Sequence, residues 1–178
     1  VKGLAEKKKS GLLISAVFFV LACPCALAEE FGSKLAPDFT GVEIEYRADG
    51  CSYRYSPINF CDERHLKLIK DALKNNSINF GKKYILVSIP ERKRFFENSL
   101  VAIDAETGVA YPFPFDFYSG KTDKAGNSHG DGIVHYAINS DQVCIDGSIM
   151  AYKEMQNGHL CWKFDAGRFV GQRTPYLD

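Results

Sequence analysis

Gln142-Val143-Cys144-Ile145-Asp146-Gly147-Ser148-Ile149-Met150-Ala151-Tyr152, followed after Gly158 by His159-Leu160-Cys161-Trp162-Lys163-Phe164, decides the fold class. Both runs are rich in strand-forming apolar and aromatic residues and are bounded by turn residues, the composition of β-strands. Asp146-Gly147 is a tight-turn signal, so strands are expected over 142–145, 148–152 and 159–164. Cys144 and Cys161 sit close enough in sequence for a fold-back between them to bring the two sulfurs together.

The same pattern continues upstream. Ile133 to Ile138, Ser99 to Ile103 and Tyr84 to Ile89 read as strands, the last stopped by Pro90. Asp104-Ala105-Glu106-Thr107-Gly108 supplies a turn from which Val109-Ala110-Tyr111 returns antiparallel. Val42 to Arg47 alternates apolar and polar residues, the period-2 signature of a half-buried strand. One segment breaks the rule: from about 62 to 75, Leu66, Ile69 and Leu73 recur at helical spacing with Ala72 beside them. Asp62 is placed to cap this helix and Glu63 suits its positive end. Lys67, Lys70 and Lys74 form a neighbouring solvated ridge. The expected fold class is α+β, mainly an antiparallel β meander with one helix in the N-terminal half.

The N-terminal segment reads as a secretion signal. Lys2, Lys7, Lys8 and Lys9 precede an apolar run from Gly11 to Ala22, within the roughly 7–15 residues of a signal core. It is short of the roughly 20 residues needed to span a bilayer. Ala26-Leu27-Ala28 offers small side chains where a signal peptidase requires them, which places cleavage after Ala28 and makes 29–178 a single domain. A competing reading is a lipoprotein anchored through Cys23, whose preceding Val20-Leu21-Ala22 approximates a lipobox.

Removal of residues 1–28 takes away four lysines and Glu6, leaving 18 basic and 21 acidic residues. A formal net charge of −3 argues against a general nucleic-acid binder. Cys23 and Cys25 leave with the signal, so four cysteines remain: Cys51, Cys61, Cys144 and Cys161. An even number in an exported chain points to two disulfides. Of the three pairings, Cys51–Cys61 with Cys144–Cys161 is favoured because each pair is close in sequence. Each closed loop is worth roughly 3 kcal/mol on chain-entropy grounds. Four cysteines around a metal fit poorly, given the long gap after Cys61 and the lack of a Cys-x-x-Cys pair. The sequence implies no cofactor.

No constellation identifies a reaction. His129 lies in a polar loop with Asp131, and Asp123, Asn127 and Asp131 loosely suggest a calcium loop, but Asn, Asp and Gly abound in ordinary turns. There is no Gly-x-Ser-x-Gly elbow. Glu43 and Glu45 share a strand face without any mark of a sugar cleft. Two segments instead read as contact surface. Pro90 to Phe96 sets Arg92, Lys93 and Arg94 beside two phenylalanines. Tyr111-Pro112-Phe113-Pro114-Phe115-Asp116-Phe117-Tyr118 packs five aromatic residues into eight positions. Arg92, Arg94, Tyr111, Phe113, Phe115, Phe117 and Tyr118 are the candidate partner-binding residues, since aromatics and arginine concentrate at interfaces. The alternative is that some of these aromatics close one end of the core.

Phe95-Phe96-Glu97-Asn98, Val101-Ala102-Ile103-Asp104-Ala105-Glu106-Thr107-Gly108 and Tyr111-Pro112-Phe113-Pro114 resemble a stretch in small, largely uncharacterised exported proteins of Gram-negative bacteria. The resemblance covers about a quarter of the mature chain, and a glycine–cysteine motif associated with many of those proteins is absent between Asn98 and Asp104. It implies a periplasmic β-rich domain and carries over no catalytic residue. From the residues themselves, a compact stapled one-domain scaffold, an aromatic–proline segment, loops of mixed charge and no readable active site lead to the expectation of a non-enzymatic binding protein, an inhibitor or immunity protein that blocks a toxin or lytic enzyme. A small envelope hydrolase using His129 and nearby acids, and a structural envelope component, are the alternatives.

Overall fold

A computed structural model describes residues 51–177 except Ala166, together with the backbone of two short strands at 32–33 and 44–45. The signal reading of residues 1–28, including Cys23, lies outside the described residues. Among the described residues no helix is long and apolar enough to cross a membrane.

In chain order the elements are β1 (Gly32–Ser33), β2 (Ile44–Glu45), α1 (Glu63–Asn75), β3 (Tyr84–Arg92), β4 (Glu97–Asp104), β5 (Ala110–Pro112), β6 (Phe117–Ser119), β7 (Ile133–His135), β8 (Gln142–Ala151), β9 (Glu154–Asp165) and β10 (Arg168–Gly171). The pairing is antiparallel throughout except for a parallel contact of β2 with β5. Two long hairpins dominate, β3–β4 and β8–β9, and the three-residue β6 joins them. Tyr118 pairs with Asn98 of β4 on one side and with Ile149 of β8 on the other. The α+β meander expected from the sequence is therefore present, as are both favoured disulfides, with Cα separations of 5.3 Å for Cys51–Cys61 and 4.1 Å for Cys144–Cys161.

Strand alternation sorts the apolar residues onto two faces. Leu86, Leu100 and Ala102 from the first hairpin meet Val143, Ile145, Leu160 and Trp162 from the second, with Phe113 and Phe115 between them. For residues of the two hairpins to share one cluster, the sheet must curl over itself. Ile85, Ile89, Val101 and Ile103 point the other way, onto Ile69 and Ala72 of α1 and onto Ile58 and Phe60 of the stapled 51–61 loop.

Two local expectations are corrected. Asp146-Gly147 makes no turn: β8 runs straight through it, and the chain reverses at Tyr152 and Lys153. Gly147 is needed for close approach, because a Cβ there would lie 2.1 Å from the Ser119 carbonyl oxygen. Pro90 does not stop β3, which continues to Arg92 across a register shift. Among the described residues β3 pairs with β4 alone, so the missing amide hydrogen falls on an edge strand at an irregularity, where proline is tolerated.

Helix α1 is held to the sheet through its first turn. Asp62 caps it by accepting from the His65 amide at 2.8 Å. The His65 ring is buried, with Nε2 2.9 Å from Glu91 Oε1 on β3. Its Nδ1 lies 2.9 Å from Asp62 Oδ1 without hydrogen-bond geometry, so that second contact is electrostatic. Ser99 donates to the same Glu91 oxygen at 2.6 Å, and Arg64 pairs with the other. Burial favours the neutral imidazole, but the Glu91 and Asp62 carboxylates outweigh it and raise the His65 pKa above the usual 6.5.

A group whose folded pKa is raised stabilises fully below its unfolded value, and that contribution disappears as pH climbs through the folded value. Denaturant unfolding of wild type and His65→Gln should therefore show a stability gap that is widest near about pH 6 and narrows toward about pH 9. A gap that stays constant or widens over that range contradicts a charged His65 anchor.

Candidate contact surface at the hairpin end

The β3–β4 hairpin reverses through a single 3-10 turn, Lys93–Phe95, and then Phe96 in the left-handed region at φ 56°. This reversal lifts two phenylalanines out of the core: Phe95 is 45% exposed and Phe96 40%. A non-glycine aromatic in that backbone region is uncommon and costs on the order of 1 kcal/mol, so surrounding contacts must hold it.

The Phe96 amide donates to the Lys93 carbonyl at 3.2 Å and its own carbonyl accepts from Asn98 Nδ2 at 3.1 Å. Beside this turn the hairpin end centres on Arg92. Its guanidinium forks onto the largely buried carboxylate of Glu97, with Nη2 donating to Oε1 at 2.7 Å and Nε pairing with Oε2. The two parallel bonds fix the plane of the group as well as its charge. The same guanidinium lies 5.2 Å from the Phe95 ring centre and 5.1 Å from that of Phe117 on β6. Arg94 approaches Phe95 from elsewhere, at 5.7 Å. Arg92 is thus the hub of the hairpin end rather than a free cation, while Lys93 and Arg94 supply the positive charge around the exposed rings.

A cleft opens on each side. One, of about 430 Å³, is lined by Ser88, Pro90, Lys93, Phe96, Asn98, Tyr118 and Asp131. Within it the Tyr118 hydroxyl and Ser88 Oγ lie 2.7 Å apart, and burial pushes the Tyr118 pKa up, keeping the phenol neutral. The other, of about 470 Å³, is lined by Arg92, Phe95, Phe117, Asp123, Lys124, Met150 and Met155, among others. Glu97 borders both. The combination is an aromatic ridge with cations between two shallow hollows, each carrying an aspartate.

The candidate residues read from the sequence separate here. Arg92, Arg94 and Phe117 come together at the hairpin end. Phe113 and Phe115 are 1% exposed and belong to the main core, against Trp162. Tyr118 is also buried, though it closes the floor of one cleft. Tyr111 packs on Tyr84 and Phe164 at the other end of the cluster. For Phe113 and Phe115 the core role weighed above as the alternative describes their placement. Glu97 was not singled out in the sequence, because nothing in its spacing marks a fork partner five residues after Arg92.

The polar loop at 120–132 is organised by its own turns. Asp123 accepts from the Ala125 and Asn127 amides at 2.8 and 3.0 Å, and these bonds, the Asn127 one foremost, hold its pKa down. His129 lies 3.3 Å from Asp123 and is well exposed, while Asp131 contacts Asn98 at 3.4 Å. His129 and Asp131 are therefore directed to different partners. The Ser128 hydroxyl donates to the Gly120 and Gly130 carbonyls, away from the imidazole.

No protein-family model, curated protein or solved structure matches this chain.

Placement at the surface or in the core separates the two groups of phenylalanines by experiment. The double substitution Phe95→Ala with Phe96→Ala should cost about 1–2 kcal/mol, for two partly exposed rings and the cation–π contacts of Phe95. Phe113→Ala alone should cost about 3–5 kcal/mol. Equal losses for the two variants in urea titrations contradict the assignment.

Proposed function

We propose that the protein is an exported, non-enzymatic binding protein that inhibits a toxin or lytic enzyme, with the β3–β4 hairpin end entering the partner's cleft. The observation that carries this reading is the Arg92 fork. One residue is clamped by Glu97 and stacked between Phe95 and Phe117, so the end is ordered before any partner arrives. Inhibitors occlude a site rather than react with it, and they gain affinity by avoiding an ordering cost on binding. Exposed Phe95 and Phe96 supply apolar contact area, and Arg94 and Lys93 supply charge.

That chemistry favours an acidic, concave target. Enzymes that cleave envelope glycans commonly place a pair of carboxylates in an open groove. A cationic, aromatic-tipped hairpin complements such a groove in sign, and its exposed rings offer flat apolar faces to occupy the place of sugar rings. The two disulfides hold the surrounding scaffold, which suits a protein working outside the reducing cytosol.

The test is a lysis assay with purified peptidoglycan and a panel of glycan-cleaving lytic enzymes, with and without the protein. Inhibition of at least one enzyme is expected. It should weaken by two or more orders of magnitude when Phe95→Ala and Arg94→Glu are combined, as for loss of central interface residues. Undiminished lysis across the panel, or inhibition indifferent to both substitutions, contradicts the proposal.

A further inference from the structure

The register of β7, β8 and β9 gathers three side chains on the outer face of the sheet that lie far apart in sequence. Asp146 on β8 stands directly opposite His159 on β9, and His135 on β7 pairs one row along, opposite Cys144. Asp146 holds both rings: Oδ1 is 2.5 Å from His159 Nδ1, and Oδ2 is 2.7 Å from His135 Nε2. The ring centres are 6.1 Å apart, and all three side chains are about half exposed. Among the described residues the remaining ring nitrogens, His135 Nδ1 and His159 Nε2, have no hydrogen-bond partner.

We propose that His135, Asp146 and His159 form a binding site for a divalent transition-metal ion. Two imidazoles and one carboxylate are a donor set suited to zinc, nickel or copper(II), and poorly suited to calcium or magnesium, which prefer oxygen alone. The ion enters between the carboxylate and the two rings. Each neutral imidazole presents its carboxylate-facing nitrogen as the ligand, and its proton moves to the nitrogen that is now without a partner. With metal bonds of about 2.0–2.2 Å, the present nitrogen–oxygen contacts must open and the two rings, whose centres now stand 6.1 Å apart, must draw together, which half-exposed side chains accommodate by rotation. Three protein ligands leave further positions for water or for a group from a partner.

The backbone beneath this cluster is unusually constrained. His135, Cys144 and Cys161 form one cross-strand row, and the disulfide joins the last two at a Cα separation of 4.1 Å. Asp146 and His159 occupy the next row on the same face, two residues along. Ligand side chains carried on three paired strands, with a covalent tie one row away, keep their spacing, which is what a site on rigid elements needs. The Cys144 and Cys161 sulfurs also lie within 4.8 Å of a His159 nitrogen. Joined to each other they offer no thiolate, so the disulfide-bonded protein has only the histidine–carboxylate set.

Calorimetric titration of the full, disulfide-bonded protein with zinc chloride and with copper(II) sulfate tests the proposal. One equivalent per chain is expected. His135→Ala, His159→Ala and Asp146→Asn should each weaken binding about 10–100-fold. His129→Ala, which removes the imidazole paired with Asp123, should leave binding unchanged. A readout free of any substitution is the nitrogen-15 spectrum of the histidine rings, where zinc should shift His135 and His159 and leave His129 and His65 in place. Three results overturn the site: no binding at near-millimolar ion, binding that survives His135→Ala with His159→Ala, or binding only after the disulfides are reduced. The last would make the thiolates the ligands.

Discussion

The structure depends on how closely Ser119 is allowed to approach its neighbours. Strand β6 has three residues, yet it is the seam between the β3–β4 and β8–β9 hairpins. At its end the Ser119 carbonyl oxygen faces Gly132 and Gly147, and a Cβ at either would lie 2.5 or 2.1 Å away. Only a bare backbone fits there, so β8 can pass from pairing with β7 to pairing with β6 without bending outward. Before the strand, Asp116 donates its amide to the Met150 carbonyl at 2.7 Å, and its buried carboxylate accepts from the Tyr152 amide and the Tyr176 hydroxyl at 2.9 and 2.8 Å. Burial raises the pKa of Asp116 despite these donors, the cost of an anchor with little water. Isolated two-stranded ribbons are marginal in water. Joined at β6, the two hairpins enclose the aromatic core between them.

Both surfaces discussed above inherit their geometry from that seam. Phe117, the first residue of β6, turns one face to Arg92 and so ties the hairpin end to the body of the sheet. Tyr118, next in the strand, points the other way into the core and floors a cleft. On the far side of β8, the same strand that pairs with β6 carries Asp146 between the two histidines. An aromatic ridge and a histidine–carboxylate cluster thus share one strand framework while having different chemistry. The first is suited to apolar and acidic surfaces, the second to a borderline divalent cation.

Much of the fold is legible in the sequence because its signals are local. The α1 stripe, the Asp62 cap, the Asp104–Gly108 turn and the strand composition each need only a few neighbouring residues. The disulfides follow because each pair spans a segment that folds back once. What fails are places where a local signal meets a distant requirement. Asp146-Gly147 looks like a turn until Ser119 arrives to explain the glycine. Pro90 looks like a stop until β3 proves to be an edge. The eight-residue aromatic stretch is split by a seam that its composition does not reveal, with Phe113 and Phe115 inside and Phe117 at a cleft. The clusters were less legible still. His65 meets Glu91, and His135 meets His159, only through helix docking and strand register.

The central claim is that β6 makes one cooperative unit of two hairpins. Native-state hydrogen exchange on the backbone amides of residues 117–119, with those of the β4 and β8 segments they pair with, tests it most directly. The account predicts that the slowest of these amides exchange only through global unfolding, with the same free energy and denaturant dependence on both hairpins. Exchange of β6 through a local opening several kcal/mol below the global value, with the two hairpins then unfolding at different denaturant concentrations, would contradict it.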